Sequence, residues 1–142
     1  MDLDTSEKSL KLDITFEDYV ATFNGLFNVA EMVGGIVLFA IMSMKSLDTK
    51  AESFLYGISY AYAFNGMQIL LAGFLNHDSA VIVQQLFFQY VSHQCIGTLS
   101  YVSGAMLLTS QADALSAAGI ISMLIGSCHF FHFTHLFFKL YG

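Results

Sequence analysis

The residues with the most chemistry in this 142-residue chain are one acid, three closely spaced histidines and a cysteine. Glu31 stands inside the apolar stretch 24–44, and Cys128, His129, His132 and His135 crowd the segment CHFFHFTHLFFK near the end. On a helix Cys128, His132 and His135 share one face, at i, i+4 and i+7. Intramembrane acids and histidines mark proton relays or small-ion paths, so Glu31 with the histidines is one candidate relay. His93 and His129 fall at similar depth on adjacent segments, as bis-histidine haem ligation would require. The spacing His129-x-x-His132-x-x-His135 spreads three rings over about 120° of a helical wheel, too wide to converge on one zinc. No paired cysteines, phosphate-binding glycine loop or serine nucleophile elbow occurs, so an enzyme is not expected, and neither is a resident cofactor or metal.

The elements that must position these groups are long apolar runs. Residues 56% hydrophobic and 11% charged depart from the soluble norm of about 45–50% and 25%, which points to an integral membrane protein. The expected fold is all-α, a four-helix transmembrane bundle running up-down-up-down with short loops. Residues 1–22 form a tail, with an interfacial amphipathic helix expected at 15–23, and residues 23–139 form the four-span domain. The spans are expected at about 23–44, 54–75, 80–108 and 114–138; roughly 20 residues cross a bilayer, so the third is longer than needed and is expected to tilt or emerge from it. Thr15 to Asp18 resembles a capping box. No cleavable leader is expected, so the first span should act as its own insertion signal.

The net charge of −6 and the lack of a basic patch exclude nucleic acid as a partner. Expected partners are the lipid bilayer and other membrane proteins or further copies of the chain. A three-to-two lysine balance slightly favours termini in the cytoplasm, and the expected location is the plasma membrane or endomembrane vesicles.

Counting inward from the termini's side, Glu31, Gln68 and Gln89 each lie about eight residues deep, and His132 about seven. With Asn28, Cys128 and His135 they are expected to form a polar layer roughly 10–12 Å into the bundle. Interhelical hydrogen bonds there would fix register without any chemistry. Small residues that admit close helix contact are expected at Gly34, Gly35, Gly57, Ala61, Ala118, Ser122 and Gly126.

The first span reads Phe27-Asn28-Val29-Ala30-Glu31-Met32-Val33-Gly34-Gly35-Ile36-Val37-Leu38-Phe39, and three more spans follow with small loops. In this it resembles the MARVEL-domain membrane proteins, which include MAL-type proteolipids, plasmolipin, chemokine-like-factor relatives, synaptophysins and occludin. The resemblance implies a non-enzymatic tetraspan bundle acting in vesicle trafficking, apical sorting or cell junctions. Glu31 and the Gly34–Gly35 pair are the residues that match. The loops lack the cysteines and long insertions of junctional members, and the first turn is too short for a claudin-type sheet.

Overall fold

The computed structural model describes residues 21–75, 87–111 and 116–141. Four helices account for almost all of them: α1 Phe23–Ser43, α2 Lys50–Leu75, α3 Phe87–Gln111 and α4 Ala117–Tyr141. No strand occurs among the described residues. The tail with its expected interfacial helix, the second turn and most of the third lie outside the described residues.

Each visible helix start has a local cause. Thr22 is extended and accepts the Gly25 N–H at 3.1 Å, capping α1. Ser116 does the same for α4 through Gly119. At α2, Thr49 Oγ1 accepts from the Glu52 N–H while Glu52 Oε2 accepts from the Thr49 N–H, a reciprocal capping box. That box starts α2 at Lys50, four residues ahead of the expected Phe54.

The helices pack as a square, with α1 against α2 and α4, and α3 against α2 and α4. Contact pairs run in opposite chain directions where α1 meets α2 and where α3 meets α4. Phe39 meets Tyr56 and Tyr60 while Met32 meets Gly66. Likewise Tyr90 meets His132 while Tyr101 meets Ser122.

The square has an inverted surface. Buried positions include Asn28, Glu31, Ser59, Gln94, Ser122, His129 and His132. Exposed positions carry Leu26, Val33 and Ile36 on α1, Phe54, Phe64 and Leu71 on α2, Ile96, Leu99 and Met106 on α3, and Leu124, Phe131 and Phe138 on α4. The interior divides along its length. Toward the turn at 44–49 it is apolar, built by Leu38, Met42, Ala51, Leu55, Leu108, Ala118 and Ile125. Toward the other end it is polar. Two helices, α1 and residues 117–138 of α4, are long and apolar enough to cross a membrane.

Candidate functional site: a buried carboxylate–histidine network

The polar end is one connected hydrogen-bond network joining α1, α3 and α4. Glu31, 6% exposed, meets His132 Nδ1 through Oε1 at 2.9 Å. Its other oxygen accepts from Gln94 Nε2 at 3.2 Å. The Gln94 carbonyl oxygen is bonded in turn to His129 Nδ1, which lies 3.5 Å from Glu31 Oε1. On the far side of His132, Nε2 is 3.0 Å from the Tyr90 hydroxyl, which donates to Asn28 Oδ1 at 2.8 Å. Asn28, Glu31, Gln94, His129 and His132 are all at most 6% exposed, so the network is held away from solvent. Burial of this kind is tolerable only where the groups satisfy one another.

Aromatic rings wall the network in. Phe27 and Tyr90 flank the His132 ring, with centroids at 5.5 and 5.3 Å. Tyr62, Tyr101 and His93 surround His129 at 5.1, 5.6 and 6.0 Å. Helix α2 enters through this wall. Tyr62 stacks on His93 at 4.3 Å and donates its hydroxyl to the His93 carbonyl oxygen at 3.1 Å. The Asn65 amide nitrogen lies 3.3–3.4 Å from both His93 ring nitrogens. His129 Nε2 and the Tyr101 hydroxyl are buried without a hydrogen-bond partner.

Glycines set the helix spacing that this network needs. A Cβ on Gly35 would stand 3.3 Å from the Ala63 backbone nitrogen, and one on Gly34 would stand 2.8 Å from Ile125 Cγ1. One turn further along α1, that close approach brings His132 of α4 within reach of Glu31. A Cβ on Gly97 would meet Tyr62 at 2.8 Å and His129 at 2.9 Å, and one on Gly126 would meet Val102 at 2.9 Å.

The structure sorts the expected layer into three groups. It brings Asn28, Glu31 and His132 together in the interior. Cys128 is half-buried, and His135 is half-buried with its ring stacked 4.2 Å from Phe23. Gln68 and Gln89 do not join them and are exposed on the outer surface. Matching depth was the wrong criterion without matching phase: Gln89 lies five residues from Gln94, about 140° around the helix. Helix α3 therefore reaches Glu31 with Gln94, and α2 supplies Tyr62 and Asn65 in place of Gln68.

The small residues divide in the same way. Ala118, Ser122 and Gly126 are buried on α4, and Gly35 is buried on α1. Gly57 and Ala61 are exposed, and a Cβ on Gly57 would meet nothing within 4 Å. Buried Ser59 and Ala63, with half-buried Gly66, form the close-packing ridge of α2 instead. Gln94, Tyr90, Tyr62 and Tyr101 are the network residues that a search for acids and histidines passes over. Their sequence signal is the spacing Tyr90, Gln94, Gly97, Tyr101, Gly104, Leu108, at i, i+4, i+7, i+11, i+14 and i+18.

Chemically the site can hold and shift protons between a carboxylate, two imidazoles and a phenol. Among the described residues no three His, Cys, Asp or Glu side chains converge as a metal site. The His93 and His129 rings stand 6.0 Å apart at 81°, with Tyr62 against both, and this leaves no slot for a porphyrin between them. No known family model, curated protein or solved structure matches the chain.

Proposed function

We propose that this chain is a non-enzymatic, multi-pass membrane protein of the MARVEL type, a four-span up-down-up-down bundle. It organises membrane in vesicle trafficking or at cell junctions by associating laterally with itself or with other membrane proteins. The observation that carries this reading is the inversion of polarity on all four helices, apolar outside and polar inside. In water such an arrangement exposes what should be buried, whereas in lipid it is what the solvent demands. Helices α2 and α3 have lower average hydropathy because polar residues lie on both faces, Ser59 and Gln94 inside and Gln68, Gln89 and Ser103 outside, among large exposed apolar side chains.

Two features support lateral association. Gln68 and Gln89 present amides on the outer surface, and Gly57 with Ala61 leaves a shallow, small-residue strip on α2. In lipid an outward amide gains by pairing with a neighbouring helix. A structural role for the interior is favoured over a conduction path by the apolar end of the bundle. From Gly35 to Met42, about 10 Å along α1, the axis is closed by Leu38, Met42, Leu55 and Leu108.

The test is cell fractionation followed by single-molecule counting in the native membrane. The chain should resist alkaline extraction, map to four spans with cytoplasmic termini, and occur as clusters. Release by alkali would remove the membrane reading. A monomeric population unchanged by Gln68→Leu with Gln89→Leu would remove the association. In reconstituted vesicles with a pH dye, native chain and Glu31→Gln should both match empty vesicles, and a native flux lost in Glu31→Gln would favour the relay instead.

A further inference from the structure

The hydrogen bonds around Glu31 and His132 dictate how many protons the two residues hold. Gln94 directs its amide N–H at Glu31 and its carbonyl at His129, so His129 Nδ1 carries a proton and donates it. Tyr90 has one hydroxyl proton and gives it to Asn28 Oδ1. The contact between the Tyr90 oxygen and His132 Nε2 therefore needs a proton on that nitrogen. What remains is the 2.9 Å contact of His132 Nδ1 with Glu31 Oε1. One proton satisfies it from either side, as imidazolium–carboxylate or as imidazole–carboxylic acid, and both forms are neutral overall.

We propose that Glu31 and His132 form a proton-binding site, holding one exchangeable proton between them in the folded bundle. The ligand is H⁺ itself. Rings pack directly on both sides of His132 and close around His129, and a proton needs no further room.

Removing that proton leaves a buried carboxylate without its counter-charge, and Tyr90 must then turn from Asn28 to His132 Nε2. Adding a second leaves a buried imidazolium beside a neutral acid. Among the described residues the surroundings offer no substitute charge. On α1 the inner stripe adds Asn24 and Asn28, and α2 contributes Tyr62 and Asn65. Helix α3 contributes Tyr90, His93 and Tyr101, and α4 contributes Cys128, His129 and His135. None of these is a second acid or a lysine. Both changes in proton number therefore weaken the packing of α1 against α3 and α4.

The pH dependence follows from proton counts. An unfolded glutamate titrates near pH 4.3 and an unfolded histidine near 6.5. Well above about pH 6.5 the unfolded pair holds no proton and the folded pair holds one, so there this pair adds stability as pH falls. The full effect is about tenfold in the folding constant per pH unit. In Glu31→Gln the amide donates to a neutral His132, no proton is bound, and this contribution is absent. Unfolded His93 and His129 begin to charge inside this window and lower the stability of the native chain and Glu31→Gln alike, so the pair is read from the difference between the two proteins.

The experiment is thermal unfolding of the full chain in lipid nanodiscs between about pH 8 and 6.5. On acidification the native midpoint should gain about 3–5 °C per unit relative to that of Glu31→Gln. Equal slopes in the two proteins overturn the proposal. If Glu31→Gln does not fold, the native chain still decides through its ¹⁵N histidine spectrum at about pH 8. Protonated Nε2 on His132 supports the site, and an unprotonated Nε2 beside ionised Glu31 overturns it. The outcome does not depend on lateral association, which can fail while the proton site stands.

Discussion

Gln94→Leu is the sharpest test of the interior. The two side chains have similar volume, so the change removes hydrogen bonds with little cavity. Gln94 is fully buried and is the one link from α3 to both Glu31 Oε2 and His129 Nδ1. Leucine leaves a carboxylate oxygen and an imidazole N–H unmatched, each costing about 1–3 kcal/mol in a buried setting. His129 is hit twice over, since its Nε2 already lacks a partner. A lower bound comes from interhelical bonds in lipid, which average about 0.6 kcal/mol each, or about 1.2 for the two. The expected loss is therefore about 2–3 kcal/mol, a factor of roughly 30 to 150 in the folding constant. The control is Gln68→Leu, which replaces an exposed amide and should change stability by less than about 0.5 kcal/mol. Both variants are compared with native protein by denaturant titration in mixed micelles, followed by circular dichroism. If Gln68→Leu costs as much as Gln94→Leu, the assignment of inner and outer faces fails.

The same comparison extends to the glycines. Gly97→Ala should cost about 1–3 kcal/mol, because its methyl meets the Tyr62 and His129 rings below 3.0 Å, whereas Gly57→Ala should be neutral or stabilising by up to about 1 kcal/mol. Thermal midpoints of the two variants give the sign directly. Ser122→Ala removes the 2.8 Å bond from the Ser122 hydroxyl to the Tyr101 carbonyl and should cost about 1 kcal/mol in a micelle denaturation curve. Thr49→Ala breaks the capping box of α2 and should cost about 1 kcal/mol, with faster amide exchange confined to residues 50–53.

Helices α1 and α4 were legible because their inner stripes are marked by residues that have nowhere else to go. Asn28, Glu31 and Gly35 recur at helical spacing, and Ala118, Ser122 and Gly126 repeat every fourth position. Helix α3 was misread by its phase. The depth of Gln89 suggests an inner face, and the serines that follow, Ser92, Ser100 and Ser103, extend a polar stripe, yet hydroxyls on a helix can satisfy themselves locally. Ser103 bonds the Leu99 carbonyl at 2.6 Å, as Ser43 bonds Phe39 and Ser127 bonds Met123. All three serines are exposed. A self-satisfied serine carries little information about facing, because the backbone it bonds to is its own. Amides and imidazoles cannot close such a loop so readily, so Gln94 and His129 seek other helices. On α2 the start is marked by the Thr49-x-x-Glu52 spacing, which stands in sequence among the charges of the turn.

Glu31 and the glycine pair that follows it work as one device. A carboxylate on α1 gains a partner on α4 only if the two helix axes approach closely, and side chains at positions 34 and 35 would prevent that on two sides at once. Gly34 admits Ile125 of α4, and Gly35 admits the backbone of α2 at Ser59 and Ala63. Spacing is thereby set by atoms that make no hydrogen bond, and the polar groups then occupy the distances that the spacing creates. The apolar end of the interior makes this arrangement selective. Leu38 and Met42 continue the Glu31 stripe, so rotating α1 to free the carboxylate would also draw both of them out of the core. Lipid would accept those two side chains at little cost, since it is as apolar as the core they leave. The resistance to rotation must then come from Asn28 and Glu31, whose partners lipid cannot replace. In water the ranking would reverse, with the leucine and methionine holding the helix and the carboxylate content to leave.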